Sequence, residues 1–187
     1  QKVGTATSQD LVIWEKEGNN FLLESQRPYY EDRENNPRKW LSWRDPFYFE
    51  WEGKKYLLIC GRSSFGPVSR RGCVALVQLQ NDQATFLPAL IYPMVYDDVE
   101  CPCVFQLKGR FYLVGSIRED IKVRYWFAST FNGEYHSFRA DVLLPQGNYA
   151  ARVVKDGAVY LIYNFFYLDG AVDTLRVLPP PKQLDVD

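Results

Sequence analysis

One pattern occurs three times in this chain, and it constrains the fold more than any other feature. The first copy runs from Trp43-Arg44-Asp45-Pro46 through Glu52-Gly53-Lys54 to Tyr56-Leu57-Leu58. The second runs from Glu100-Cys101-Pro102 through Lys108-Gly109-Arg110 to Tyr112-Leu113-Val114, and the third from Asn148-Tyr149-Ala150 through Asp156-Gly157-Ala158 to Tyr160-Leu161-Ile162. Each reads as a strand, a tight turn at glycine and a second strand. The turn glycines lie 56 and 48 residues apart. A strand-rich unit of roughly 50 residues is the period of a propeller blade.

The 187 residues hold between three and four such units, and propellers close with about four to eight. The chain also opens in mid-pattern and without Met, so the expectation is an incomplete ring, completed by other parts of a parent protein or by another chain. The expected fold class is all-β, a five-bladed propeller of which the chain covers about three to four blades. The partial propeller is placed at residues 1–178. Pro179-Pro180-Pro181 then opens a stiff exit linker at 179–187. No sustained helical spacing is present.

Within the units, hairpins are expected at 43–61, 105–116 and 148–165. Third strands are expected at 73–79, 123–129 and 174–177. Residues 84–88 lead outward. The continuous apolar runs beginning at Tyr56, Tyr112 and Val159 suit strands buried on both faces. Trp14 is expected to anchor the outer edge of a blade. Residues 15–40 form a long polar connection, of the kind that is functional or exposed.

A net charge of −1 argues against a nucleic-acid partner, and no apolar run approaches the roughly 20 residues of a membrane span. Cys60, Cys73, Cys101 and Cys103 are too few and scattered for a disulfide scaffold, and a Cys-X-Cys pair with one histidine is a poor metal site. No metal or cofactor is expected. Arg62, Arg70 and Arg71 read as a solvated basic patch.

Asp45 and Glu100 each precede a proline, directly at Pro46 and after one residue at Pro102, at what the pattern aligns as the heads of neighbouring inner strands, so both are expected to project into one funnel. Two carboxyl groups in one polar pocket have their pKa values pushed apart, which suits glycoside hydrolysis. Asp97 and Asp98 would crowd Glu100 with like charge.

These residues carry a resemblance. Arg44-Asp45-Pro46 is similar to the Arg-Asp-Pro motif of glycoside hydrolase family 32, the invertase, inulinase and levanase family. Glu100-Cys101-Pro102 is similar to its Glu-Cys-Pro motif. Ser8-Gln9-Asp10-Leu11-Val12-Ile13-Trp14 resembles its Ser-X-Asp-Leu-X-X-Trp segment, and Asn148-Tyr149-Ala150 its Asp-Phe-Tyr-Ala segment, with Asn for Asp. The resemblance implies a retaining glycosidase acting on fructofuranoside-type bonds. It makes Glu100 the acid/base, Asp45 the transition-state stabiliser, and Arg44, Trp43, Cys101, Asn148 and Tyr149 substrate-binding residues. It also implies a carbohydrate partner, and a nucleophilic aspartate in a first blade that this sequence lacks. The chain would then hold blades two to four and the start of a fifth. The family is often extracellular or periplasmic, and the sequence leaves compartment open. Two alternatives stay open: a non-catalytic carbohydrate-binding propeller, and a related five-bladed hydrolase or phosphorylase acting on another glycoside.

Overall fold

The computed structural model describes residues 1–18, 22–81, 83–166 and 178–185. Among them, strands dominate, and the one helical element is a single 3-10 turn at Val68–Arg70. No helix among the described residues is long and apolar enough to cross a membrane.

Two short ribbons come first. β1 (Val3–Gly4) pairs with β4 (Leu22–Leu23), and β2 (Ala6–Thr7) with β3 (Glu15–Lys16). Three antiparallel sheets follow. The first holds β5 (Arg44–Trp51), β6 (Lys54–Arg62), β7 (Gly72–Gln80) and β8 (Gln83–Ile91) in that order. The second holds β9 (Glu100–Leu107), β10 (Arg110–Ile117), β11 (Lys122–Ala128) and β12 (Val142–Leu144). The third holds β13 (Asn148–Asp156), β14 (Val159–Phe166) and β15 (Lys182–Leu184). Neighbours in each sheet are neighbours in sequence, and β9 packs beside both β5 and β13, so the three leading strands adjoin. The fold is that of a β-propeller, and these sheets are its blades.

The apolar runs are explained by which face each residue meets. On β6, Tyr56 and Leu58 face the second sheet, in a core with Phe111, Leu113 and Trp126. Leu57 and Ile59 face the N-terminal segment, with Val3, Leu23, Tyr30 and Trp43. On β10, Tyr112 and Val114 join the third sheet's Ala151 and Ile162 in another core. Each fully buried aliphatic side chain contributes about 1.5–3 kcal/mol, and strands sandwiched this way leave no polar face.

Three expectations change. Trp14 is no anchor: it is 55 % exposed, as are Leu11, Val12 and Ile13 to a greater degree, on a turn held by Ser8 and Asp10 side chains. The prolines at 179–181 do not open an exit linker, because Lys182–Leu184 returns as the edge strand of the third sheet, pairing with residues 160–162. Proline has no N–H for the ladder, and pairing resumes as soon as donors do. The third strand expected at 174–177 lies outside the described residues. Arg62 is not solvated; its side chain is fully buried against Glu31.

Candidate active site

The hairpin registers place the residues that could do chemistry. In the first sheet, Phe47 pairs with Leu58 but Arg44 pairs with Cys60, so two residues of β5 oppose one of β6. The second sheet repeats this between Cys103↔Val114 and Glu100↔Ser116, and the third between Arg152↔Tyr163 and Tyr149↔Phe165. The same β-bulge thus occurs at the same step of each leading strand. The residue inside it has positive φ each time: Asp45 at 56°, Cys101 at 51° and Ala150 at 50°. Left-handed backbone at a non-glycine residue costs about 1–2 kcal/mol, and bulges and such strain concentrate at functional sites.

Register therefore makes Arg44, Glu100 and Tyr149 equivalent, and corrects the alignment of Asp45 with Glu100. The three equivalent side chains meet. Arg44 Nη2 lies 2.5 Å from Glu100 Oε1, and the Tyr149 hydroxyl donates to Glu100 Oε2 at 2.5 Å. Asp45 belongs one step further in, with Cys101 and Ala150. The bulge turns the Cys101 N–H out of its own ladder toward the first sheet, where it donates to Asp45 Oδ2 at 3.1 Å. In the next blade the Ala150 N–H donates to Ser116 Oγ at 2.8 Å.

Burial, and then the hydrogen bond to Glu100, push the Tyr149 hydroxyl well above its ordinary pKa. It stays protonated and donates throughout the neutral range. Burial opposes the Arg44 charge, yet Cys60, Asp98 and Glu100 together hold its pKa above the ordinary arginine value. Burial raises the Cys60 thiol so far that it is neutral at pH 7, so the two carboxylates are the operative partners there. Asp98 Oδ2 accepts from Arg44 Nη2 and from Ser42 Oγ, both at 3.0 Å. Asp97 Oδ2 accepts from Arg38 Nη1 at 2.8 Å. The expected like-charge crowding of Glu100 is thus met by shared cations: Arg44 lies between Asp98 and Glu100, and Arg38 between Asp97 and Asp98.

Other expected site residues are placed differently. Trp43 is completely buried, its indole N–H donating to the Leu23 carbonyl at 3.0 Å, and it stacks on Phe86, not on a substrate. Its neighbour Trp40 takes the exposed position: 55 % open, with the Arg38 guanidinium 5.0 Å from the ring centre. Asn148 is buried, donating to the Pro145 carbonyl and accepting from Asn164, so it braces the strand while Tyr149 faces Glu100. Cys101 offers its N–H; its thiol, 3.6 Å from Asp45 Oδ2, is pushed up to about 12 by burial and by the Asp45 charge.

A cleft of about 370 Å³ opens onto Arg44 and Glu100 and is lined also by Gln1, Trp40, Asp97, Asp98, Arg118 and Glu119; Asp45 and Tyr149 are not on its lining, so the funnel expected to hold both Asp45 and Glu100 is lined here by Glu100 alone of the two. A larger cavity of about 1060 Å³ lies toward the turns at Gly53 and Asn81 and gathers no pair of carboxyl groups. Among the described residues no three His, Cys, Asp or Glu side chains are grouped to hold a metal ion. Sequence reading missed Arg38, Ser42, Arg118 and Glu119. Antiparallel pairing of Glu100 with Ser116 brings residues just after β10 back to the head of β9, and that signal would have found the last two. Chemically, the cluster can give or take a proton at Glu100 and hold hydroxyl groups at Asp45, Asp98 and Arg44.

No family model and no curated protein sequence matches the chain. Solved structures do match in fold. A point mutant of B. megaterium levansucrase superposes over 100 % of this chain and 58 % of its own, with TM-score 0.71 at 14 % identity. An exo-1,5-α-L-arabinanase from a bovine ruminal metagenomic library covers 100 % of this chain and 64 % of its own, with TM-score 0.62 at 15 % identity. A Bombyx mori GH32 β-fructofuranosidase covers 91 % and 40 %, with TM-score 0.65 at 18 % identity. The chain spans less than two thirds of each of these structures.

Proposed function

We propose that this chain carries the acid/base part of a retaining glycosidase site acting on fructofuranoside-type bonds, within a propeller completed by further sheets. The observation that carries the reading is the meeting of three register-equivalent residues, each just before its bulge: Arg44 and Tyr149 both converge on the Glu100 carboxyl, beside Asp45. Three neighbouring strands spend a strained conformation at the same step to build it. Two of the similar folds are named for fructoside chemistry and one for an arabinan, which supports a glycosidase and favours a furanoside.

In this reading the Glu100 carboxyl passes its proton to the glycosidic oxygen as the C–O bond breaks. A carboxylate from a segment outside these residues takes the anomeric carbon as a covalent ester. Glu100, now ionised, removes a proton from the water that hydrolyses that ester and is ready again. Asp45 and Asp98 accept sugar hydroxyls, and Arg44 holds Asp98 and Glu100 at a fixed separation. Trp40 offers an apolar face to the sugar at the lip of the cleft.

Release of reducing sugar from sucrose, inulin or levan by the parent protein tests the reading. Glu100→Gln is expected to lower the rate by about 10²–10⁴, the usual contribution of a positioned acid/base, in a protein that still unfolds cooperatively above the assay temperature. An undiminished rate would remove Glu100 from its role. One observation favours a second reading, a carbohydrate-binding propeller without catalysis: both Glu100 oxygens are already engaged by Arg44 and Tyr149. Saturable sugar binding without hydrolysis of any fructoside would select it.

A further inference from the structure

Arg62 ends the buried run of β6 that starts at Tyr56, and its side chain and that of Glu31 are both 0 % exposed. Burying an ion pair is costly, and a well-packed apolar pair of similar volume often serves stability as well or better. The pair has to be explained by what its geometry does. Arg62 Nε donates to Glu31 Oε2 at 2.9 Å, and Nη2 donates to the Val68 carbonyl. Nη1 donates to the Asp97 carbonyl at 2.6 Å and also to the Asp97 carboxylate. Arg71 closes the other Glu31 oxygen at 3.0 Å. Three segments that share no sheet are thereby tied to one guanidinium: the loop carrying Glu31, the β6–β7 connection and the stretch before Glu100.

That last stretch is fixed from several sides. Gly72 N–H donates to the Tyr96 carbonyl at 2.9 Å, and Asp97 N–H donates to Glu119 Oε1 at 2.7 Å. A Cβ on Gly72 would stand 2.7 Å from Asp98 N. Beyond Asp97 the contacts continue through Arg38 to Ser42 Oγ at 2.6 Å, from Ser42 to Asp98, and from Asp98 to Arg44. Arg44 then meets Glu100. Arg62 itself touches neither Arg44 nor Glu100 in any of these contacts.

We propose that Arg62 is a positioning residue: through Asp97 and Asp98 it fixes the orientation in which Arg44 holds Glu100. The proposal rests on the glycosidase reading only in naming Glu100 the reacting carboxyl. Its test needs no substrate, so the two can fail separately. Arginine side-chain ¹⁵N–¹H spectra of the full chain report whether a guanidinium is held. Wild type is expected to show resolved Arg44 Nη–H signals. The double variant Glu31→Gln with Arg62→Met leaves no charge at either fully buried position, and the amide oxygen that replaces the carboxylate can still accept from Arg71. It is expected to lose those signals to rotational averaging while the amides of Leu58 and Leu113, in the core, stay in place. Arg62→Lys, which keeps the charge but not the fork, is expected to restore them in part. Unchanged Arg44 signals in the folded double variant would make the pair a staple with no bearing on the site. Should that variant not fold, Asp97→Asn leaves the Arg62–Glu31 pair intact and reports on the same link. It is expected to broaden the Arg44 signals, and their persistence would overturn the proposal.

Discussion

Glu100 accepts from two unlike donors, and substitution separates them. The Tyr149 hydroxyl is neutral and held protonated by its surroundings, so Tyr149→Phe removes one hydrogen bond and no charge. A loss of about 1 kcal/mol in urea unfolding is expected, the usual net contribution of one hydrogen bond; no change would mean that the contact adds nothing. The two tryptophans near Arg44 divide in the same way. Trp43→Ala empties a fully enclosed site between Tyr30 and Phe86 and is expected to cost about 3–5 kcal/mol. Trp40→Ala lies at the surface and is expected to stay within about 0.5 kcal/mol of wild type, while weakening sugar binding measured by calorimetric titration. The reverse ranking would undo the assignment of Trp43 to the core. Nothing in the residue types separates these neighbours. Both are Trp in a four-residue stretch, and only the packing of the N-terminal segment onto β6 and β7 decides which one is covered.

At the level of elements, the blades were legible because each middle strand is sandwiched, and two-sided burial writes an unbroken apolar run. The alignment of strand heads was not legible, for two physical reasons. The acid of the first copy stands one residue before its proline and that of the second two before, so matching acid to acid slips the first two units by one residue, and only the register shows it. The hairpin turns also differ. Glu52 and Gly53 both have positive φ, as do Lys108 and Gly109, whereas Gly157 alone does in the third turn and stands at its first central place. That is the difference between type I′ and type II′ turns. Aligning on glycine therefore shifts the third unit by one residue, and puts Asn148 where Tyr149 belongs. The glycine that matters to the site is another one. Gly72 passes so close to the backbone of Asp97 and Asp98 that Gly72→Ala forces backbone to move. A loss of about 1–3 kcal/mol is expected, as for overpacking. Gly109→Ala meets open space and pays only for its φ of 78°, about 1 kcal/mol. Urea midpoints with an unchanged slope check both, and a smaller loss at Gly72 than at Gly109 would contradict the close approach.

Across the whole molecule, burial is uneven. The middle strands of the first two blades are covered on both faces, while the third blade leaves Val154, Tyr163 and Phe166 partly open, and Leu11 to Trp14 stand open on the turn between β2 and β3. What the interior does keep from water is sulfur. All four cysteines are free thiols; Cys60, Cys73 and Cys103 are buried and Cys101 half-buried. Burial raises every one of them, Cys101 to about 12 with help from Asp45. In the unfolded chain they ionise near the ordinary thiol value of about 8.5. Below that pH both states hold the protons and the thiols contribute no pH dependence. Above it the unfolded chain releases protons that the native chain keeps, so the unfolded state binds fewer and stability falls as pH rises. Each such thiol contributes a slope of about 1.4 kcal/mol per pH unit until its native value is reached, which for Cys101 is about 12. Urea midpoints are therefore expected to be level from pH 7 to about 8.5 and to fall steadily above it. Cys101→Ala is expected to remove one thiol's share of that slope. A midpoint unchanged up to pH 11, or a slope indifferent to this substitution, would mean that the thiols titrate alike in both states and that the blade interfaces admit water.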